Sequence, residues 1–175
     1  MNGVFLDLYK HNLWANQKLL DVCDALPDEV LEAQAKGTYG TVRDTLVHLV
    51  SAEAGYVRRI ARRGEPENPL REGTFPGVAE LKQRAQTSGE ELIALAAKTT
   101  ANETVVVDDD GQKLNIRLST YFAQAINHGT EHRAHVCTIL TQQGIEPPKS
   151  RRLGILGNGG ANRSSLPAVA QIGVT

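Results

Sequence analysis

Apolar residues recur every three to four positions in four long stretches of the chain, which is the period of an amphipathic helix. In the first, residues 3–26, one strip holds Phe5, Tyr9, Asn12, Asn16, Leu19, Leu20 and Cys23. Pro27-Asp28-Glu29 interrupts it with a short turn. The second stretch, residues 41–63, opens on Thr41 with Asp44 three residues on, the spacing of a capping box. Its apolar side carries Val42, Leu46, Leu49, Glu53, Tyr56 and Ile60. Residues 64–77 are rich in Pro and Gly and read as an irregular connection. The third stretch, residues 78–99, gathers Val78, Leu81, Ala85, Ser88, Leu92, Leu95, Ala96 and Thr99 on one side. Two short alternating runs, 104–107 and 113–118, flank Asp108-Asp109-Asp110-Gly111 and read as a hairpin. The fourth stretch runs from about Ser119 to just before Gly144, with Pro147 and Pro148 barring continuation. Four such helices pack most simply as a four-helix bundle, an all-α fold with a small hairpin between the third and fourth helices.

Two strips contain residues that a plain apolar core does not need. Asn12 and Asn16 lie in the middle of the first apolar face. A buried amide costs about 1–3 kcal/mol unless it is hydrogen-bonded. Either the pair satisfies groups on a neighbouring helix or it lines a polar cavity. Trp14 falls on the opposite face, where a large aromatic suggests a covered patch.

The fourth helix carries the densest chemistry. His128, His132 and His135, three of the five histidines, fall within roughly 60° of one another on a helical wheel, on a strip shared with Tyr121, Gln124 and Ile139. Two histidines at i, i+4 can aim ring nitrogens at one ion. His135 lies about 10 Å along the axis from His128, so one ion cannot take all three and a ligand is needed from elsewhere. His48, flanked on the second helix by the small residues Thr45 and Ala52, is available for that place. Taken alone it reads as a boundary histidine half in solvent. Three neutral imidazoles favour zinc, nickel or iron over magnesium or calcium, and three protein ligands leave a coordination position open, as in catalytic sites. The aspartates of the hairpin lack the alternation of a calcium loop and read as a solvated turn.

Composition narrows the setting. The chain has 175 residues and a net charge of −1, so nothing advertises nucleic acid or an anionic membrane as a partner. No apolar run approaches the length of a membrane span, and no secretory signal is visible. Cys23 and Cys137 form no C-x-x-C pattern, which points to reduced thiols and a cytoplasmic protein. Beyond Glu146 the charged residues are all basic, and residues 149–175 read as a weakly ordered appendage rich in Gly and Ser. No strand precedes Gly154–Gly160 and no Lys-Ser/Thr pair follows it, so a phosphate loop is not expected.

Tyr9-x-x-Asn12-x-Trp14-Ala15-Asn16, His48 within Thr45-Leu46-Val47-His48-Leu49, and Asn127-His128-x-x-x-His132-Arg133 occur in this order. In that combination the chain resembles the DinB/YfiT-like family of small bacterial metalloenzyme-like proteins, over roughly residues 1–148. The resemblance implies an up-down-down-up four-helix bundle with His48, His128 and His132 as metal ligands. It also implies relatives that act as thiol-dependent transferases or isomerases using low-molecular-weight thiols. The chain departs from the family in carrying His135 where Gln is common, and in its basic tail.

The reading that follows is an enzyme in which a divalent metal on His48, His128 and His132 activates a thiol for attack on a small electrophilic substrate. Tyr9 and His135 are the candidate catalytic groups, and Asn12, Asn16 and Tyr121 the candidate pocket residues. Metal-dependent hydrolysis on the same ligands, or a non-catalytic stress-response role with a fourth protein ligand such as Glu53 or Glu131, are the alternatives. Leu6, Leu13 and Trp14 beside the core strip further suggest a homodimer.

Overall fold

The computed structural model describes residues 3–63, 74–100, 102–109 and 111–149. Most of the expected connection at 64–77, Asp110 in the hairpin turn, and the tail from 150 onward lie outside the described residues. The described chain is mostly helical: α1 (Gly3–Cys23), a single turn α2 (Asp28–Leu31), α3 (Val42–Ile60), α4 (Val78–Lys98), the strands β1 (Thr104–Asp109) and β2 (Gln112–Arg117), and α5 (Leu118–Gln142). Helix α1 packs on α4 and α5, and α3 packs on α4 and α5. Among the described residues, no helix is long and apolar enough to cross a membrane.

Local chemistry sets the helix ends. At α3 the Thr41 hydroxyl accepts from the Asp44 amide at 3.0 Å, and the Asp44 carboxylate accepts from the Thr41 amide at 3.2 Å. The expected capping box is therefore complete. The helix stops at Ile60, three residues short of the expectation, because Arg62 turns left-handed with φ 58°. The Arg62 amide then bonds to Arg59 and the Arg63 amide to the Arg58 carbonyl, a Schellman closure without glycine. Helix α5 closes the same way on Gly144, φ 73°, with Ile145 bonding to Leu140 at 2.9 Å and packing on the core. The hairpin is antiparallel, with Thr104 opposite Arg117 and Asp109 opposite Gln112, and Gly111 at φ 84° makes its turn.

The core has two apolar clusters. Leu19, Leu20, Cys23, Leu46, Leu49, Leu81, Ala85, Ile139 and Leu140 lie in one; Tyr9, Val57, Ile60, Leu92, Leu118 and Phe122 lie in the other. On each long helix a polar side chain falls between the two: Asn12 and Asn16 on α1, Glu53 on α3, Ser88 on α4 and Arg133 on α5. Backbones come close where glycine permits it. A Cβ on Gly89 would lie 2.7 Å from Leu13 Cδ1, so Leu13 seats against α4. Trp14 is half-buried and its ring lies 5.4 Å from that of His11, so part of the cover expected over this face comes from the chain itself.

Removing the cap hydroxyl with Thr41→Ala should destabilise the protein by about 1 kcal/mol. Urea unfolding should show a lower midpoint at unchanged slope; an unchanged midpoint would mean the capping box contributes nothing.

Candidate metal centre and its supporting network

Three imidazoles from two helices converge at one side of α5. The His48 and His128 Nε2 atoms are 3.0 Å apart, and one ligand atom from each of His48, His128 and His132 lies within 4.8 Å of the others. The i, i+4 spacing puts His128 and His132 on one face, with ring centroids 4.2 Å apart, and α3 brings His48 to 4.9 and 4.6 Å from them. Two nitrogens bound tetrahedrally to zinc at about 2.0–2.1 Å stand roughly 3.3 Å apart; the His48–His128 pair is close to that separation, and the full spread of up to 4.8 Å would have to close toward it to hold an ion. His132 is buried, and its pKa is lowered by that burial first and by the neighbouring His135 second, with Glu131 opposing. Neutral imidazole is the form that binds metal. The His132 Nδ1 atom is buried without a hydrogen-bond partner among the described residues. A buried nitrogen so placed, in an all-imidazole donor set, fits a divalent transition metal. Among the described residues no carboxylate joins this group, Glu53 and Glu131 included.

Aromatic rings border the centre. Tyr39 stacks on His48 at 4.1 Å with an interplanar angle of 16° and meets the edge of His132 at 5.2 Å. Tyr56 lies 5.9 Å from His128. His135 sits 5.4 Å from His132, beside the group and not in it. Tyr39 is half in solvent, 51% exposed, on the loop before α3. Periodicity carries no information about a loop, which is why Tyr39 escaped the sequence reading. The signal was its position in Gly37-Thr38-Tyr39-Gly40, just before the helix that carries His48. Thr38 fixes that loop by donating to the Ala35 carbonyl at 2.8 Å, and Gln34 pairs with Thr41.

Asn12 and Asn16 belong to a buried network between the two core clusters. Arg133 Nη1 donates to Asn12 Oδ1 at 2.6 Å and to Asn16 Oδ1 at 2.7 Å. Both Asn Nδ2 groups donate to Glu53 Oε2, at 2.8 and 2.9 Å, and Ser88 donates to Glu53 Oε1 at 2.6 Å. A guanidinium only donates and an ionised carboxylate only accepts, so the orientation of both amides is dictated from each side. Burial pushes the Glu53 carboxyl up, against the lowering effects of Ser88, Asn12, Arg133 and Asn16. Burial brings Arg133 down to about 10, opposed by Glu53, so the guanidinium stays charged at neutral pH. Gly129 makes room for this contact: a Cβ there would lie 2.8 Å from Asn12 Oδ1 and 3.0 Å from Arg133 Nη1. The roles of Ser88 and Arg133 were not read from the sequence; the two asparagines in an apolar strip were the visible trace of them.

The Tyr9 hydroxyl donates to the Phe122 carbonyl at 2.6 Å, and burial, then the charge of Glu53, raises its pKa. Tyr121 packs half-buried on the second core cluster. Asn12 also lines a cavity of about 420 Å³ between α1 and α5, with Leu8, Ala15, Lys18, Ile126 and Ala134; none of the three clustered histidines lines it. Both cysteines are reduced, and burial pushes the Cys23 thiol up to about 12.

The sequence profile of the DinB family matches residues 1–154. The chain is 21% identical over 152 residues to Protein DinB of Bacillus subtilis (strain 168), covering 82% of this chain and 88% of that protein. Its fold is similar to the crystal structure of a DinB-like protein from Bacillus cereus, with a TM-score of 0.63 at 20% identity, over 83% of this chain and 94% of the other.

Truncating Glu53 to Ala would leave Arg133 without its buried counter-charge and three donors without an acceptor. Glu53→Ala should cost about 3–5 kcal/mol in urea unfolding, the range for breaking a buried pair from one side. A loss below 1 kcal/mol would show that the network is not a buried charge pair.

Proposed function

Because this chain belongs to the DinB family, we propose that it is a divalent-metal-dependent enzyme that uses a low-molecular-weight thiol on a small electrophilic substrate. The observation that carries the reading is the convergence of His48, His128 and His132 with no carboxylate among them. Three protein nitrogens leave a coordination position for an exogenous group. When bound, the ion supplies the Lewis acidity that makes a thiol or a water nucleophilic near neutral pH. The exposed Tyr39 ring offers an apolar face beside that position, and Tyr56 borders the group from the His128 side. His135, next to His132 with its own Nδ1 unpartnered among the described residues, is placed to orient an incoming group or carry its proton.

The proposed architecture is the up-down-down-up bundle. Its support is the order of the two core clusters: α1 and α5 run from the Tyr9–Phe122 cluster toward the Leu19–Leu140 cluster, while α3 and α4 run the other way.

Untagged protein should bind zinc or nickel at one ion per chain. His48→Ala, His128→Ala and His132→Ala should each abolish stoichiometric binding, while His11→Ala retains it. Equal retention in all four variants, read by metal analysis after dialysis, would sink the site. Turnover of electrophilic substrates by loaded protein should require an added thiol such as glutathione, mycothiol or bacillithiol. Thiol-independent ester or amide cleavage would instead assign the site to hydrolysis. His135→Gln should keep the metal and lower turnover about 10–100-fold, the usual cost of losing a group that supports a metal ligand.

A further inference from the structure

We infer that the buried network of Arg133, Asn12, Asn16, Glu53 and Ser88 is the positioning device of the three-histidine site, holding α3 and α5 at the spacing a metal requires. This rests on the metal-binding reading above.

The two helices that bring the ligands share the two apolar clusters, where contact is non-directional, and a single hydrogen bond between the half-buried Tyr56 and the exposed Gln124 joins them directly at one end of the group. A bound metal holds its ligands within about 0.2 Å of ideal bond lengths, which the imidazoles reach by side-chain rotation only if their helices stand at a suitable spacing. Something directional therefore has to fix α3 against α5, and the network is directional, with its main hydrogen bonds between 2.6 and 2.9 Å.

Its attachment points on α5 adjoin the ligands. Arg133 directly follows His132, and Gly129 directly follows His128. These two residues are where α5 meets the Asn12 amide, through the Arg133 bond and through the close approach at Gly129. On α3, Glu53 follows His48 by five residues, about 7.5 Å along the helix. The network does not join Arg133 to Glu53 directly. It joins them through two amides on α1, each accepting from the cation and donating to the anion, while Ser88 holds the other carboxylate oxygen from α4. The spacing of the ligand helices is thus set by the length of an asparagine side chain on a third helix.

Three parts of this arrangement exceed what packing needs. A charge pair buried in a core is often no more stabilising than apolar residues of the same volume. Two parallel amides are used where one would join the charges. Glycine stands inside a helix at position 129, at a cost of about 1 kcal/mol relative to alanine.

The test uses Glu53→Gln, which keeps size and removes the charge, and Gly129→Ala, which intrudes on Asn12. Glu29→Gln serves as control, since it removes an exposed carboxylate on α2, which carries neither a network residue nor a histidine. Zinc affinity is measured by competition with a chelator, cobalt(II) loading by its visible absorption, and the apo protein by NMR contacts between the His48 and His128 rings. In both network variants the zinc Kd should rise about 10–100-fold, the cobalt spectrum should shift, and the His48–His128 contact should weaken. The control should match wild type. A purely structural role would lower the melting temperature but leave the Kd, spectrum and ring contact of the folded variants unchanged; that result overturns the inference. If wild type takes up neither zinc nor cobalt, the metal reading falls. The ring contact in metal-free protein then decides the positioning claim alone: its loss in the variants upholds the claim and its persistence overturns it. Should Glu53→Gln fail to fold, Gly129→Ala carries the same readouts.

Discussion

The charge of Glu53 is buried and that of Arg133 half-buried, and two buried asparagine amides stand between them. Neither ion would be tolerable there alone, since desolvating a single charge costs several kcal/mol even after relaxation. Each amide is polarised from both ends, and hydrogen bonds in such chains strengthen one another in a low-dielectric interior. The arrangement draws one side chain or more from every long helix. It lies between the two apolar clusters of the core. Its satisfaction is all or nothing: a register shift along any helix leaves donors or acceptors unpaired.

The imidazole centre inherits its geometry from that constraint. His128 and His132 keep their mutual spacing by helix geometry alone, but His48 arrives from α3, and only tertiary structure places it. The centre combines a buried imidazole, His132, with half-buried His48 and His128 and an exposed Tyr39. One side is therefore anchored in the protein and another faces incoming molecules. A site of this kind suits chemistry on an exogenous group better than a sealed structural ion does.

Helical periodicity was enough to place the four long helices and the hairpin, because each has a continuous apolar strip or a strong turn signal. Ends set by capping chemistry written in the sequence, Thr41 with Asp44 and Gly144, came within a residue. The end at Arg62 did not, since a left-handed arginine has no compositional signature. The histidine pair on α5 was legible from spacing. His48 was legible only as an available partner, because convergence of two helices is a tertiary fact. Asn12 and Asn16 announced a polar requirement without naming their partners. Ser88 looked like one more small residue in a strip, where the structure shows it donating to Glu53, and the close approach of Asn12 and Arg133 at Gly129 is likewise a tertiary fact.

The account stands on three imidazole nitrogens forming the protein's share of a metal's coordination. X-ray absorption on zinc-loaded, untagged protein tests this most directly. The prediction is a first shell of three nitrogen scatterers at about 2.0–2.1 Å with imidazole outer-shell scattering, completed by one exogenous light atom. On adding a low-molecular-weight thiol, one sulfur at about 2.3 Å should replace that atom. A first shell with cysteine sulfur in thiol-free protein, or with fewer than three imidazoles, would contradict the account.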